Sequence, residues 1–134
     1  MYRAGALTLT INTFTPIPFD TIEFDPGGSC TTGATARYTC PVDGYYSVSG
    51  ALDCAASAAS QRLVVTLMKN GSEVKRFSDD VSVAAQTLTQ GVSVAAIKCV
   101  AGDYLQVTYF SPNALVCNVG QSVIWCAFAY VGPA

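Results

Sequence analysis

An all-β domain is what this sequence predicts, on three observations. Thr, Val, Tyr, Phe and Ile dominate its apolar runs, and such β-branched and aromatic side chains suit a pleated surface. Gly, Pro, Asn and Asp recur at intervals typical of strand ends. Little of the chain carries the periodicity of a helix.

The elements follow in order. Ala6 to Asn12 alternates as a first strand, and Pro16 and Pro18 then break the ladder, because proline has no N–H to give. Asp25-Pro26-Gly27-Gly28 is a turn, with Pro setting one dihedral and Gly supplying a positive φ. Arg37 to Cys40 is a short strand ahead of Pro41, and Asp43-Gly44 turns the chain into Tyr45 to Leu52. The strongest local signal is LVVTLMKNGSEVKRFS: strands Leu63 to Lys69 and Glu73 to Phe77 meet at Asn70-Gly71, a pair that tolerates a tight hairpin. Further strands read at about Ser82 to Leu88, Val92 to Cys99, Tyr104 to Phe110 and Val123 to Val131. Residues 1–20 read as an extended arm with the first strand, and 21–134 as the body of a single domain.

The last strand, VIWCAFAYV, is the most informative. Val123, Trp125, Ala127 and Ala129 point one way, and Ile124, Cys126, Phe128 and Tyr130 the other. A strand wetted on one face alternates cleanly; this one is apolar on both. Either its own chain covers both faces, or one face packs on a neighbouring subunit. The second reading is favoured, because each sheet of a sandwich has only one inner face. Tyr46, Val48 and Leu52 against Tyr45 and Ala51 repeat the pattern more weakly.

Composition agrees with self-association. Of 134 residues, 51% are apolar and 12% charged, where about a quarter charged is usual. So few charges leave little to cover the outside. The net charge of −2 and the scatter of seven Lys and Arg residues exclude a nucleic-acid partner, whose phosphates need clustered basic groups. The N-terminus has no unbroken apolar core of a signal peptide, and no stretch approaches the ~20 residues of a membrane-spanning helix. Synthesis in a cytoplasm without a secretory signal is the expectation.

Four strings in order, YTCPVDGYYSVSGAL, LVVTLMKNGSEVKRF, LTQGVSVAAIKCVAGDYLQVTYF and SVIWCAFAYV, resemble the globular-head family of complement's q subcomponent, a branch of the tumour-necrosis-factor-like jelly rolls. Pro41, Gly44 and Tyr46 match its Pro-x-x-Gly-x-Tyr lead into a strand, and Lys69, Asn70 and Gly71 its hairpin. Gly102 and Asp103 open an alternating strand through Tyr104, Leu105 and Val107, as the family's Gly-Asp pair does. Ser122 to Phe128 stands for its closing Ser-x-Phe-x-Gly-like strand, with Trp125 and Cys126 where Phe and Gly are more usual. The resemblance covers nearly the whole chain, PFDTIEFDPGG included. It implies an all-β, ten-stranded jelly-roll sandwich of two antiparallel five-stranded sheets in a compact homotrimer. Tyr46, Val48, Tyr109, Trp125, Phe128 and Tyr130 are the trimer core and interface candidates. Family members mostly bind through exposed loops and are not enzymes. The collagen stem that accompanies many of them is absent here.

Catalytic chemistry is thinly represented. The absence of His removes the commonest general base and metal ligand. Glu23 and Asp25 share a strand face and Asp79-Asp80 end a strand, but both pairs read as solvated or capping groups rather than a glycosidase dyad. Asp79, Asp80 and Asp103 do not have the spacing of a calcium loop, so no metal or cofactor is expected. The six cysteines, Cys30, Cys40, Cys54, Cys99, Cys117 and Cys126, include no Cys-x-x-Cys. They are buried thiols or up to three disulfides. At least one bridge in the mature protein is expected, with the loop-like Cys30 and Cys117 better placed for it than Cys126.

By analogy with phage virions, where related jelly rolls occur, the expected role is a non-enzymatic capsid decoration or cement protein. It would sit on the virion surface as a homotrimer contacting the major capsid protein, with residues 1–20 reaching for the shell. The alternative is a receptor- or glycan-binding fibre tip using loops such as Asn113 to Gly120. That segment lacks the aromatic residues such recognition would use.

Overall fold

Alternation of inward and outward side chains sorts the chain into two sheets in the computed structural model, which describes residues 1–134. Eleven strands follow one another with no helix: β1 (Leu7–Thr8), β2 (Thr15–Pro16), β3 (Cys30–Thr31), β4 (Arg37–Thr39), β5 (Gly44–Ala56), β6 (Arg62–Lys69), β7 (Ser72–Val81), β8 (Gln86–Cys99), β9 (Tyr104–Phe110), β10 (Val116–Cys117) and β11 (Trp125–Gly132). One sheet is built around β5, which carries β8 along one side and β11 then β10 along the other, with β1 beyond β10. The second is built around β9, which carries β6 and then β7 on one side, and β4 and β2 on the other, with β3 beyond β4. All pairings are antiparallel. The layers therefore contain five and six strands, against the expected five and five.

Local chemistry explains the hairpin. Asn70 and Gly71 both have positive φ, 52° and 80°, the conformation that matches a tight turn to the twist of its flanking strands. Asn70 also ties the turn to the start of the neighbouring strand β9: its Nδ2 donates to Asp103 Oδ1 at 2.7 Å, and Tyr104 N donates to its Oδ1 at 2.9 Å.

Between the sheets lies one apolar core. The β5 sheet contributes Tyr46, Val48, Leu52, Val92, Val94 and Cys126; the β9 sheet contributes Leu63, Val65, Leu67, Leu105, Val107 and Tyr109. The two buried phenols are satisfied rather than stranded. Tyr46 Oη donates to Val42 O at 2.7 Å, and Tyr109 Oη accepts from Thr10 N at 3.1 Å.

Three expectations need correction, and two short strands carried no signal in the sequence. Ser82 to Leu88 and Val92 to Cys99 are not two strands, because β8 runs unbroken through Gly91, which pairs with Ala51. Ser82 instead closes the preceding turn, donating to Ala58 O and accepting from Gln61 N. The first strand shrinks from Ala6–Asn12 to β1, since only Leu7 and Thr8 pair in ladder register, on β10, while Leu9 N and Asn12 N bond to the isolated carbonyls of Leu115 and Ser111. Strands β3 and β10, with two residues each, were too short to carry a period of their own. Residues 1–20 do not reach away from the domain: Leu7, Leu9, Ile17 and Phe19 are buried in its core, and β2 pairs with β9.

Gly50 sets the spacing of β5 and β11. A Cβ there would lie 2.4 Å from the Trp125 carbonyl oxygen and 3.1 Å from Cys126 Cα. Both are backbone atoms and cannot swing aside. We expect Gly50→Ala to cost about 2 kcal/mol through this overpacking, read as a fall in the urea midpoint at unchanged slope.

Candidate functional site

The outer face of the β5 sheet is the surface that stands apart from the rest. Register lines up its outward residues in rows across three strands. Gly91, Ala51 and Trp125 form one row, and Ser93, Ser49 and Ala127 the next. Ser47 and Ala129 continue the pattern. Apart from Trp125, none of these side chains extends past its second heavy atom, so the face is nearly flat. It is also nearly uncharged: the five strands of this sheet carry only Asp53 and Lys98. Strand β7 on the other sheet alone carries Glu73, Lys75, Arg76, Asp79 and Asp80. A solvated face attracts charge, as β7 does; the β5 face excludes it. Tyr45, Ala127, Ala129 and Val131 are exposed on it in the single chain.

Beside this face, at the edge of β11, lies a groove of ≈ 500 Å³ lined by Met1, Phe24, Cys30, Tyr38, Trp125 and Phe128 among others. Phe24 is 81% exposed at its rim. Phe128 stacks on Tyr38 with centroids 5.2 Å apart and rings 8° from parallel. Along that edge Met1 exchanges hydrogen bonds with Cys126, its amino group donating to Cys126 O and its carbonyl accepting from Cys126 N, both at 2.9 Å.

The expected interface residues separate accordingly. Tyr46, Val48 and Tyr109 lie in the protomer's own core and are unavailable to a partner. The cause is strand parity: all three point between the sheets. Trp125 lies on the outward face. Phe128 and Tyr130 belong to the inward row, yet Tyr130 is 47% exposed where β11 runs past the core, and its ring meets Tyr46 edge-on at 5.5 Å. Outward small residues such as Ser49 and Ser93 carry no distinctive signal in the sequence. Their alignment appears only with register.

The carboxylates considered for chemistry have structural partners. Asp79 forms a two-pronged pair with Arg62 at 2.7 and 2.6 Å. Asp25 accepts from the N–H groups of Ser29 and Cys30 at 3.1 and 2.8 Å. Glu23 accepts from Gln121 Nε2, and Asp80 accepts from Gln90 Nε2 at 2.7 Å. Asp103 meets Lys69 Nζ at 2.8 Å and accepts from Val100 N at 2.9 Å. The hydrogen bond from Lys69, then that from Asn70, holds its carboxyl at about 2.

This carries a pH prediction. The unfolded chain protonates Asp103 near its ordinary value of 3.8, and the folded protein only near 2. The stability it contributes is therefore complete above the first value and is lost as pH falls through the second. Asp79 is lowered by its Arg62 hydrogen bonds and acts in the same sense. In Asp20 and Asp25 burial opposes the lowering, but N–H groups of Ala4 and Gly5, and of Cys30 and Ser29, outweigh it. We expect Asp103→Asn to make the acid loss of stability shallower without abolishing it, as measured by urea unfolding at a series of pH values.

The cysteines resolve in part. Cys54 and Cys117 are directly opposed on β5 and β10 and are joined by a disulfide. Cys30, Cys40, Cys99 and Cys126 are free. Cys117 is thus bridged and Cys30 is not. The partner, Cys54, sits in mid-strand and 63 residues away. The segment Asn113 to Gly120, considered for ligand recognition, is tied down by the same bridge and by the pairing of β10 with β1 and β5.

Comparison with known proteins places this geometry. The sequence matches the family model described as the C1q domain over residues 3–122. Among solved structures, the chain is similar to one titled "Structure of Eiger TNF from S. frugiperda", with a TM-score of 0.65 and 10% identity, over 99% of this chain and 91% of that one. At that identity the likeness is one of fold, an antiparallel jelly-roll sandwich. No curated protein matches the sequence.

Proposed function

The chain belongs to the C1q domain family, and on that premise we propose that it is a non-enzymatic module that works as a homotrimer assembled through the outer face of its β5 sheet. The observation that carries this is the flat, almost charge-free plateau of Ala51, Ser49, Ser93 and Ala127 beside Trp125. Two such surfaces approach closely without desolvating charge, and close approach gains dispersion over a wide area. Closed point-group symmetry then limits how many copies join. Static light scattering tests the assembly: a mass of three 14.0 kDa protomers is expected, and a stable mass of one protomer overturns it.

For its use we propose decoration of a virion shell through the major capsid protein. A threefold module presents equivalent surfaces to equivalent partners where three shell subunits meet, and this symmetry supports the reading. Quantifying the protein in purified particles tests it: copies spread over the whole shell are expected, and a handful at one vertex or tail would favour a fibre tip.

A further inference from the structure

We propose that Cys40 and Cys99 form a second disulfide, acquired during folding, that staples the two sheets together at the end of the sandwich opposite the Cys54–Cys117 bridge. Cys40 directly follows β4 of the β9 sheet, and Cys99 ends β8 of the β5 sheet. The turn that follows Cys99 brings them together. Gly102 N donates to Cys40 O at 2.9 Å, and Cys40 N donates to Asp103 O at 2.7 Å, so the main chain around Cys40 is clasped by residues three and four positions beyond Cys99. Both side chains point into the same core cluster, each 1% exposed. The Cys99 thiol is also near enough to contribute to the raised pKa of the Cys40 thiol.

The surroundings hold that placement. Lys69 Nζ donates to Lys98 O at 2.8 Å and pairs with Asp103. Ala101 N donates to Asp43 Oδ1 at 2.8 Å. The turn is therefore tied to the strand ends on both sides of Cys40, so both cysteines sit on fixed main chain. The two bridges differ in what they join. Cys54–Cys117 links neighbouring strands of one sheet, whereas Cys40–Cys99 spans the layers, so it resists their separation directly.

The step is ordinary thiol–disulfide exchange with a small disulfide of the glutathione type as oxidant. One cysteine thiolate attacks the oxidant's S–S bond, forming a mixed disulfide and releasing one glutathione thiolate. The second cysteine then attacks the protein sulfur of that mixed disulfide, forming the Cys40–Cys99 bond and releasing the second. The two protein thiol protons go to the two departing thiolates, and both electrons go to the oxidant. Timing follows from burial. In the folded core desolvation first, and the Cys99 thiol second, push the Cys40 thiol up to about 12, so a folded reduced protein exchanges slowly. Exchange belongs to the interval before the core closes over the pair.

Refolding the full chain from a reduced, denatured state in a buffer of reduced and oxidised glutathione tests this. The product is quenched in acid, its remaining thiols are alkylated, and its peptides are mapped by mass. The expected product holds Cys54–Cys117 and Cys40–Cys99, with Cys30 and Cys126 alkylated. A native-like product with Cys54–Cys117 formed but Cys40 and Cys99 both alkylated overturns the proposal, as does a Cys30–Cys126 link in their place. A second reading uses stability. Protein refolded with oxidant should melt roughly 5–10 °C above protein retaining only the first bridge. That gain should vanish in Cys99→Ala, and equally in Cys40→Ala should the first variant fold poorly. A gain that survives in both means the stabilising bond lies elsewhere.

Discussion

Ala127→Glu is expected to convert the proposed assembly into folded single protomers. Ala127 lies on the outward row of β11, paired with Ser49 of β5, which pairs in turn with Ser93 of β8. In the isolated chain the position is exposed, so a carboxylate there meets water and the sandwich has no reason to unfold. In the assembly it would be buried against a face whose nearest neighbours offer no cation. An unpaired charge in such a setting costs on the order of 3–5 kcal/mol per site, and closed symmetry repeats that cost in each subunit. Light scattering should report the mass of one protomer while the far-ultraviolet circular dichroism stays that of the native protein. Ala127→Ser, which adds one small polar atom to a row that already contains Ser49 and Ser93, should keep the native mass. A Glu variant of native mass would mean that subunits meet through some other surface.

Leu52→Asp should do the opposite and destroy the protomer itself. Leu52 is 0% exposed and lies on β5, the strand that pairs with β8, β10 and β11. Replacing it removes apolar burial worth roughly 2–3 kcal/mol and places a carboxylate among core side chains, for a further cost of several kcal/mol. Against a total stability of about 5–15 kcal/mol, most molecules should be unfolded at room temperature, seen as loss of the circular dichroism signal and of a cooperative urea transition. Its neighbour Ala51 faces outward in the same row as Trp125. Ala51→Asp should therefore dissociate the assembly while the protomer stays folded. The contrast between adjacent residues of one strand is the sharpest check on which face is which, because a general weakening of the sheet would affect both alike.

How much was legible in the sequence depended on how local the governing physics was. The Asn70-Gly71 hairpin was legible because its backbone needs two consecutive positive φ values, and that pair of residues tolerates them at little cost. Strand β9 was legible from Tyr104 to Phe110 because a Gly-Asp turn at its start and steady alternation mark both its bounds and its faces. Strand β8 was misread as two pieces because Gly91 looks like punctuation. In the fold it is simply an outward position opposite Ala51, where a missing side chain leaves the plateau flat. The two-residue strands β3 and β10 had no signal of their own: β10 exists because the long β5 offers it a partner, and β3 because it pairs with β4, itself held on β9. The cysteine pairing was illegible for a related reason: Cys54 and Cys117 meet only through the register of β10 on β5.

The closing strand shows the division most plainly. Its sequence alone determined that Trp125, Ala127 and Ala129 share one face, and Cys126, Phe128 and Tyr130 the other, because side chains of a strand alternate whatever surrounds it. It also determined that both faces are apolar. Which face turns inward was decided only by tertiary structure, when β11 docked on β5 with Cys126 opposite Gly50 and the β9 sheet packed over that side. Composition is a property of the chain, whereas inside and outside are relations between segments far apart along it. Register alone could bring Gly91, Ala51 and Trp125 into one row, and so turn scattered small residues into a surface.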